Sequence, residues 1–259
     1  FNISSTTPMA SLPPSNCCAK GFRHTGESVG KIIDFNGVQS YVTGDEANAN
    51  EKLLYFFTDV IGHEFINAQL IADQYAEDGF YVIIPDIYHG DPVKLNPAAG
   101  WDLVRDWLPT HSIAHTQPIV DTIVAGVKAK YTPKFSAAVG FCFGAKYAIR
   151  LLGTGVLNAA SVFHPSLVEL DEVKAIKGSL HISAPADDYI YTTELRVATE
   201  AILKELGETK GIKYRAVLLH GVGHGFSIRG DISNPWIKYS KEKAFSDTLD
   251  WFRICDATK

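Results

Sequence analysis

Residues 135–154, FSAAVGFCFGAKYAIRLLGT, join an apolar run to a helix-forming segment through the pentapeptide GFCFG at positions 140–144. The run Phe135–Phe141 is typical of a buried strand, and Phe143–Leu152 is predicted to form a helix. A nucleophile flanked on each side by one residue and then a glycine has the spacing of the nucleophile elbow, a sharp strand-to-helix turn that usually presents a serine. In this chain Cys142 stands in the place of that serine.

Each part of this pattern has a physical reason. The turn is so tight that side chains at positions 140 and 144 would collide with neighbouring strands, and the nucleophile must accept a strained backbone. The positive end of a helix dipole stabilises a thiolate and so lowers the pKa of a thiol at the helix N-terminus. The five residues alone fit a buried structural cysteine in a glycine-rich turn equally well. The predicted strand and helix on either side favour a functional Cys142.

Apolar strands alternate with helical segments along most of the chain. Residues 31–34 and 38–42 flank Asn36-Gly37, a strong turn signal, and predict a hairpin. Further strands are predicted at residues 52–58, 80–84, 135–141, 156–163, 179–183 and 213–219. Helices are predicted from Phe65 to a stop at Gly79 and at residues 113–130, 143–152, 168–176, 192–206 and 239–255. This alternation predicts an α/β fold, with a mainly parallel sheet covered by helices on both faces.

Three loops supply candidate catalytic groups at the carboxyl ends of predicted strands, which is where such sheets bind ligands. A cysteine nucleophile needs a base, and the base needs an orienting acid. Besides Cys142, the loops offer His224, which lies between two glycines, and the pair Asp187 and Asp188, either of which suits the acid or a solvated, helix-capping role. His220 is nearer its strand, and we expect it to be structural. The order nucleophile, acid, histidine is that of α/β-hydrolases.

Composition and charge exclude several classes of protein. The 259 residues are 46% hydrophobic and 20% charged and contain no repeat or long linker, which predicts one ordinary globular domain. A net charge of −5 argues against nucleic acid or an anionic membrane as a partner. No apolar run approaches the ~18 residues that a membrane helix needs. Four cysteines are too few for a disulfide scaffold, and we expect a cytoplasmic protein.

The N-terminal residues carry no targeting signal that we recognise. The eight residues before Met9 are polar and lack the apolar core of a signal peptide. We interpret residues 1–8 as a vector-derived leader and residues 9–259 as the domain. Cys17 and Cys18 are adjacent, so a disulfide between them would be strained, and we expect them to belong to an N-terminal segment packed on the domain.

The quoted loops resemble the dienelactone hydrolase family, and in detail its fungal branch. The matching segments are TDVIG at 58–62, PDI at 85–87, GFCFGAK at 140–146, HPS at 164–166, DDYI at 187–190, HGF at 224–226 and RGD at 229–231. The resemblance implies an α/β-hydrolase fold and a hydrolase of small carboxylic esters or lactones. It implies Cys142 as nucleophile, His224 as base and Asp188 as orienting acid. The oxyanion hole then falls on the backbone N–H groups of Val60 and Phe143.

The resemblance is weaker around the substrate. Asp59 stands where characterised bacterial members carry a glutamate that partners the resting thiol, and its side chain is one methylene shorter. Arg229 matches a family arginine only with an offset of one residue, and HGD at 89–91 lies near the place of another arginine. A small dianionic dienelactone is therefore not implied as the substrate. Four aromatic side chains are candidate pocket walls and suit the core equally well: Tyr88, Trp101, His164 and Phe226.

The predicted reaction proceeds through a thioester on Cys142 and uses no metal or cofactor. His63-Glu64 has no second histidine in the spacing of a zinc protease motif. Two alternatives remain open. One is a glycan-directed hydrolase that uses paired carboxylates from among Asp59, Asp86 and Asp188. The other is a non-catalytic small-molecule-binding protein on the same fold. Either a monomer or a homodimer fits the sequence.

Overall fold

The computed structural model describes residues 7–259, so positions 1–6 of the predicted leader lie outside the described residues. Eight strands form one sheet. They are β1 (Lys31–Phe35), β2 (Val38–Thr43), β3 (Lys52–Phe57), β4 (Tyr81–Pro85), β5 (Phe135–Phe141), β6 (Ala159–Phe163), β7 (Ser179–Asp187) and β8 (Tyr214–Gly223). Their order across the sheet is β1-β2-β4-β3-β5-β6-β7-β8.

The sheet is parallel except at one edge. β2 pairs antiparallel with β1 and with β4, and every other neighbouring pair is parallel. Phe35 pairs with Val38 across the predicted turn, where Asn36 and Gly37 have φ values of 55° and 84°. Positive φ at both central residues is what a two-residue hairpin turn of matching twist requires. The predicted hairpin is therefore confirmed.

Helices flank the sheet. They are α1 (Ile66–Glu77), α2 (Leu103–Asp106), α3 (Ile113–Lys130), α4 (Phe143–Thr154), α5 (Leu170–Lys174), α6 (Thr193–Lys210), α7 (Phe226–Arg229) and α8 (Pro235–Ala257). Short 3-10 turns span Asn16–Ala19, Glu46–Asn50 and Leu108–Thr110. The predicted α/β class is confirmed. No helix within residues 7–259 is long and apolar enough to cross a membrane.

The central strands carry the core. Every residue of β4, β5 and β6 is buried, as expected for parallel strands covered on both faces. The ring of Phe141 stacks on Phe163 with centroids 4.5 Å apart and on Phe56 with centroids 5.0 Å apart. This packing fixes the carboxyl ends of β3, β5 and β6 beside the elbow.

The N-terminal segment packs against the domain. The backbone N–H of Ala10 donates to Val168 O at 2.7 Å, and that of Leu12 donates to Ile190 O at 2.8 Å. Farther along, Cys18 is 0% exposed. The segment therefore packs over the loops that follow β6 and β7.

Candidate active site

Cys142 occupies a strained turn between β5 and α4. Its backbone has φ 50° and ψ −112°, and such a positive φ is uncommon for any residue other than glycine. The residue directly precedes the first residue of α4, so its side chain lies at the positive end of the helix dipole. Such strain persists where the surrounding structure enforces it and is concentrated at functional sites.

The two flanking glycines are required by close backbone contacts. A Cβ atom at Gly144 would overlap the carbonyl oxygens of Phe57 and Thr58 at the end of β3. At Gly140, a Cβ would lie 2.6 Å from the Cα of Ala145, inside the packing of α4. The predicted collision with a neighbouring strand therefore occurs at position 144, whereas at position 140 the obstacle is the helix.

His224 and Asp188 meet from different strands. His224 comes directly after β8, and its Nδ1 donates to Asp188 Oδ2 at 2.8 Å. The other oxygen of Asp188 accepts from the backbone N–H of Ile190 at 2.8 Å and of Tyr191 at 3.3 Å, which fixes the carboxylate. Sγ of Cys142 lies within 4.8 Å of a ring nitrogen of His224. Since Nδ1 is bonded to the acid, Nε2 is the nitrogen free to exchange a proton with the thiol.

The charges of these groups reinforce one another. Burial raises the pKa of the Cys142 thiol, but a hydrogen bond from Cys18 and the charge of His224 outweigh burial and hold that pKa well below its usual range. Burial lowers the pKa of His224, but the Cys142 thiolate and the hydrogen bond to Asp188 raise it to about 10. Burial raises the pKa of Asp188, but the hydrogen bond to His224 outweighs burial, so the pKa of this carboxyl is lowered. The pKa shifts of Cys142 and His224 both favour a thiolate and an imidazolium over two neutral groups, so an ion pair at rest stays a prediction.

Asp59 and Arg229 form a buried ion pair beside the nucleophile. Nε of Arg229 donates to Asp59 Oδ2, and the backbone N–H of Ile61 donates to Oδ1 at 3.1 Å. Burial raises the pKa of Asp59, the charge of Arg229 opposes this, and the Cys142 thiolate raises it further. Both oxygens of Asp59 are therefore engaged with groups other than the thiol, and a role as partner of the resting thiol stays a prediction.

The candidate oxyanion donors lie on two fixed segments. Phe143 is the first residue of α4, so its N–H has no acceptor within that helix. Val60 follows β3 and is fully buried. The hydroxyl of Tyr88 donates to Thr58 O at 3.0 Å and to Asp59 O at 2.8 Å, which holds the loop that carries Val60. Tyr88, predicted as a possible pocket wall, thus stabilises this loop from within the core.

The other candidate walls differ in position. The ring of His164 lies 4.8 Å from that of His224, so His164 borders the base, and Phe226 packs against His164 with ring centroids 5.8 Å apart. Burial lowers the pKa of His164 to about 4, which keeps the ring neutral. Trp101 is half-buried against the core, and it takes part in none of the ring contacts or hydrogen bonds that the described residues make around Cys142.

Comparison with known proteins identifies the family of the chain. A model of the dienelactone hydrolase family matches residues 38–255. The chain belongs to the dienelactone hydrolase family. It is a hydrolase of that family, with the α/β-hydrolase fold.

Relatives of this dienelactone hydrolase family member include fungal hydrolases. The protein named Hydrolase tropI from Talaromyces stipitatus is 37% identical over 252 residues, which cover 94% of this chain and 97% of the relative. Dienlactone hydrolase 1 from Gibberella moniliformis is 31% identical, covering 94% of this chain and 95% of its own length. A crystal structure from Klebsiella pneumoniae, titled as a dienelactone hydrolase, superposes with a TM-score of 0.72 at 14% identity, over 88% of this chain and 99% of that one.

Three polar groups at the site of this dienelactone hydrolase family member were not singled out from the sequence. The hydroxyl of Ser166 lies 3.6 Å from Sγ of Cys142, and that of Ser227 lies 2.7 Å from Nε2 of His164. The third group is the thiol of Cys18. The sequence offered one indication of Ser166, because the HPS segment at 164–166 is among the segments that resemble the family.

One set of metal-type ligands occurs within residues 7–259. Cys18, Cys142 and His224 each offer one ligand atom, and these atoms lie within 4.8 Å of one another. Two thiolates and an imidazole are ligands that suit soft or borderline metals such as zinc. Because two of the three groups are the candidate nucleophile and base, a metal bound there would compete with the chemistry of the site.

An apolar cavity of about 590 Å³ adjoins the elbow. The side chain of Phe143 lines it, together with Leu167, Tyr147 and Ile113 and with Met9 from the N-terminal segment. Phe143 directly follows Cys142 in the chain, although the cavity lining includes neither Cys142 nor His224. A cavity of this size is in the range that holds a small organic ligand.

Proposed function

We propose that the chain is a cysteine-dependent hydrolase of carboxylic esters or lactones. The observation that carries the proposal is the bond of 2.8 Å between His224 and Asp188, with Cys142 Sγ within 4.8 Å of the same imidazole. A nucleophile, a base and a group that orients the base are the parts that covalent acyl transfer needs. We also propose a cytoplasmic location and a monomeric or homodimeric state.

In the first step, the thiolate of Cys142 attacks the carbonyl carbon of the ester. The carbonyl electron pair moves to oxygen, and the N–H groups of Val60 and Phe143 bind that oxyanion. Donors aimed at a developing oxyanion contribute about 3–4 kcal/mol each. Collapse breaks the bond to the alkoxide, which takes the proton from the His224 imidazolium and leaves as an alcohol. Cys142 is then a thioester.

In the second step, the neutral imidazole of His224 takes a proton from water. The resulting hydroxide attacks the thioester carbonyl, and collapse expels the thiolate of Cys142 and releases the carboxylic acid. The imidazolium forms again beside the thiolate, so the resting ion pair is restored. Asp188 holds the ring and stabilises its positive charge through both steps.

The surroundings favour a neutral, largely apolar substrate. Among residues 7–259, the guanidinium beside Cys142 is that of Arg229, which already binds Asp59 and also donates to the backbone oxygen of Lys20 at 2.5 Å. The adjoining cavity is lined mainly by apolar side chains such as Leu167 and Ile113. Asp59 compensates the charge of Arg229, and Glu172 compensates that of Lys146, which also lines the cavity. A dianionic lactone would meet no uncompensated cation there, whereas an apolar acyl or alcohol group would bury its surface in the cavity.

The carboxylate alternative has less support. Asp59 binds Arg229, Asp188 binds His224, and Asp86 accepts from the backbone N–H groups of Tyr88 at 3.0 Å and Gly90 at 2.6 Å. Glycoside hydrolysis needs one carboxyl group free to donate a proton and a second free to act as nucleophile or base. All three aspartates are instead engaged in other interactions.

The test compares purified wild-type protein with Cys142→Ala on p-nitrophenyl acetate, on small lactones and on β-glucan. We expect ester or lactone turnover to fall to background in Cys142→Ala. Cys255→Ala is the matched control, because Cys255 is also a buried free cysteine but lies on α8. Equal ester turnover in wild type and Cys142→Ala would overturn the proposal. Glucan cleavage that survives in Cys142→Ala would favour the carboxylate alternative, and tight ligand binding without turnover would favour a binding protein.

A further inference from the structure

Cys18 brings a second sulfur atom into the active site. Its side chain is fully buried, and its Sγ lies within 4.8 Å of Sγ of Cys142 and of a ring nitrogen of His224. The hydrolytic mechanism proposed above gives this thiol no step. A buried thiol beside a nucleophilic thiolate has a chemistry of its own, because two sulfur atoms at this separation are close to the reach of a disulfide bond.

The segment that carries Cys18 is held in place by several hydrogen bonds. Nη1 of Arg229 donates to the backbone oxygen of Lys20 at 2.5 Å and to that of Cys17 at 3.3 Å. The backbone N–H of Asn96 donates to Ala19 O at 2.7 Å. These bonds enclose Cys18 from both sides along the chain, so its sulfur is positioned rather than free to move away.

The two thiols have opposite protonation preferences. Burial raises the pKa of Cys18 well above its usual range, while the pKa of Cys142 is held well below it despite burial. These directions favour one thiolate, on Cys142, beside one thiol, on Cys18. A thiolate reacts with peroxides, and a neighbouring thiol can then resolve the product.

We propose that Cys18 and Cys142 form a reversible disulfide when a small hydroperoxide oxidises the nucleophile. The Cys142 thiolate attacks the peroxide oxygen, the O–O bond breaks, and the sulfur becomes a sulfenic acid. The departing alkoxide or hydroxide takes the proton of the His224 imidazolium and leaves as alcohol or water. The sulfur gives up two electrons, and the hydroperoxide accepts them.

In the second step, the imidazole of His224 takes the proton of the Cys18 thiol. The Cys18 thiolate attacks the sulfenic sulfur of Cys142, a disulfide forms, and hydroxide leaves. The hydroxide takes the proton from the His224 imidazolium and becomes water. To form a bond of about 2.05 Å, the two sulfur atoms must approach from a separation of at most 4.8 Å. A dithiol reductant reverses the reaction by exchange.

Cys17 is the competing partner. Its Sγ lies 3.9 Å from Sγ of Cys18, and a hydrogen bond from Cys18 lowers the pKa of Cys17 to about 6, although partial burial opposes this. A disulfide between adjacent residues is strained, which disfavours the Cys17–Cys18 pair. A bond between Cys17 and Cys142 is the outcome that the experiment must separate from ours.

The experiment treats the full chain with hydrogen peroxide, blocks free thiols with N-ethylmaleimide and digests without reduction. Trypsin releases Cys17 and Cys18 together in residues 1–20, Cys142 in residues 135–146 and Cys255 in residues 254–259. We expect a cross-link between the first two peptides in wild type and in Cys17→Ser, and none in Cys18→Ser. Dithiothreitol should remove the cross-link and should restore ester turnover in wild type. In Cys18→Ser, we expect further oxidation of Cys142 to sulfinic acid, which dithiothreitol does not reverse.

The proposal fails if wild type gives no cross-linked peptide while Cys142 becomes sulfinic acid at the same rate in wild type and Cys18→Ser. It also fails if the cross-link survives in Cys18→Ser and disappears in Cys17→Ser. If Cys18→Ser does not fold, a wild-type peptide map that shows sulfinic Cys142 and no cross-link is enough to overturn the proposal. Since the cross-link is detected by mass, this test is independent of whether the protein hydrolyses esters.

Discussion

Asp188 and Asp187 are adjacent, yet only one of them reaches the imidazole. Oδ2 of Asp188 accepts a hydrogen bond of 2.8 Å from His224 Nδ1, and the Asp188 side chain is 0% exposed. Asp187 is the last residue of β7 and is exposed. Side chains of neighbouring residues near a strand end point to opposite sides, so one carboxylate lies in the site and the other in solvent.

We expect Asp188→Asn to lower kcat for ester hydrolysis by about 10²–10⁴-fold, because a neutral amide no longer stabilises the imidazolium or selects the tautomer with a free Nε2. The pKa of His224 should fall in the variant. Steady-state kinetics and a pH–rate profile measure both effects. Asp187→Asn removes a charge one residue away and should leave kcat near the wild-type value. A comparable loss in both variants would contradict the assignment of Asp188.

The lowered pKa of Cys142 predicts an unusual pH dependence of alkylation by iodoacetamide. A group whose pKa is depressed stays ionised as the pH falls, so the thiolate of Cys142 should persist at pH 6. An ordinary thiol loses roughly 100-fold of its thiolate between pH 8 and pH 6. We expect the alkylation rate of Cys142 to change less than about threefold over this range.

Peptide mapping separates the sites of alkylation. Cys255 is the control within the same molecule, since burial raises its pKa and its rate should fall steeply with pH. The Cys17→Ser variant removes the contribution of the other thiol with a lowered pKa. Parallel slopes for Cys142 and Cys255 would exclude a resting thiolate at Cys142.

Two long elements were predicted to the residue, whereas α6 and α8 extend four residues beyond a predicted end. The helix Ile113–Lys130 and the strand Phe135–Phe141 have the predicted bounds, because each has enough residues to display its periodicity. The helices α2 and α7 were missed, since four residues make one turn and show no period. The strand β7 runs four residues beyond its predicted end at Ser183, because pairing with β8 continues past an irregularity between Pro185 and Asp187.

Within the site, the residues placed by a strand end were predicted, whereas a residue placed by contacts with distant parts of the chain was not. Cys142, Asp188 and His224 each follow a strand, so chain order and topology were enough to bring them to one edge of the sheet. The contact between Cys18 and Cys142 has no local signal. It depends on where Arg229 and other distant groups anchor the N-terminal segment, and no spacing within residues 16–20 encodes that position.

The close contact at Gly144 predicts a large effect of a single methyl group. We expect Gly144→Ala to lower the free energy of unfolding by about 1–3 kcal/mol, because the carbonyl oxygens of Phe57 and Thr58 must move. Ester turnover should fall as well, since the same movement displaces the loop that carries Val60. Urea denaturation measures the first effect.

Gly153→Ala is the matched control, on the same helix α4. Its added Cβ would lie 3.4 Å from the nearest heavy atom, the backbone oxygen of Ala175, which is ordinary contact. Replacing a helical glycine by alanine contributes up to ~1 kcal/mol of stability, so this variant should be as stable as wild type or more stable. If both variants unfold at the same urea concentration as wild type, position 144 tolerates a side chain and the elbow does not require glycine there.

The apolar cavity beside Phe143 predicts how a side chain at its rim should alter substrate selection. Ala114 lines the cavity on α3 and is exposed, so Ala114→Trp can fill part of the space without disturbing the core. We expect kcat/KM for a bulky ester, such as a naphthyl butyrate, to fall by about 10-fold or more, which corresponds to ~1.4 kcal/mol of lost transition-state binding. Turnover of p-nitrophenyl acetate, which is too small to fill the cavity, should change little.

Ala129→Trp places the same side chain on an exposed position of α3 that does not line the cavity, and it should match wild type on both esters. Equal losses on the large and the small ester in Ala114→Trp would mean that the cavity does not receive the substrate.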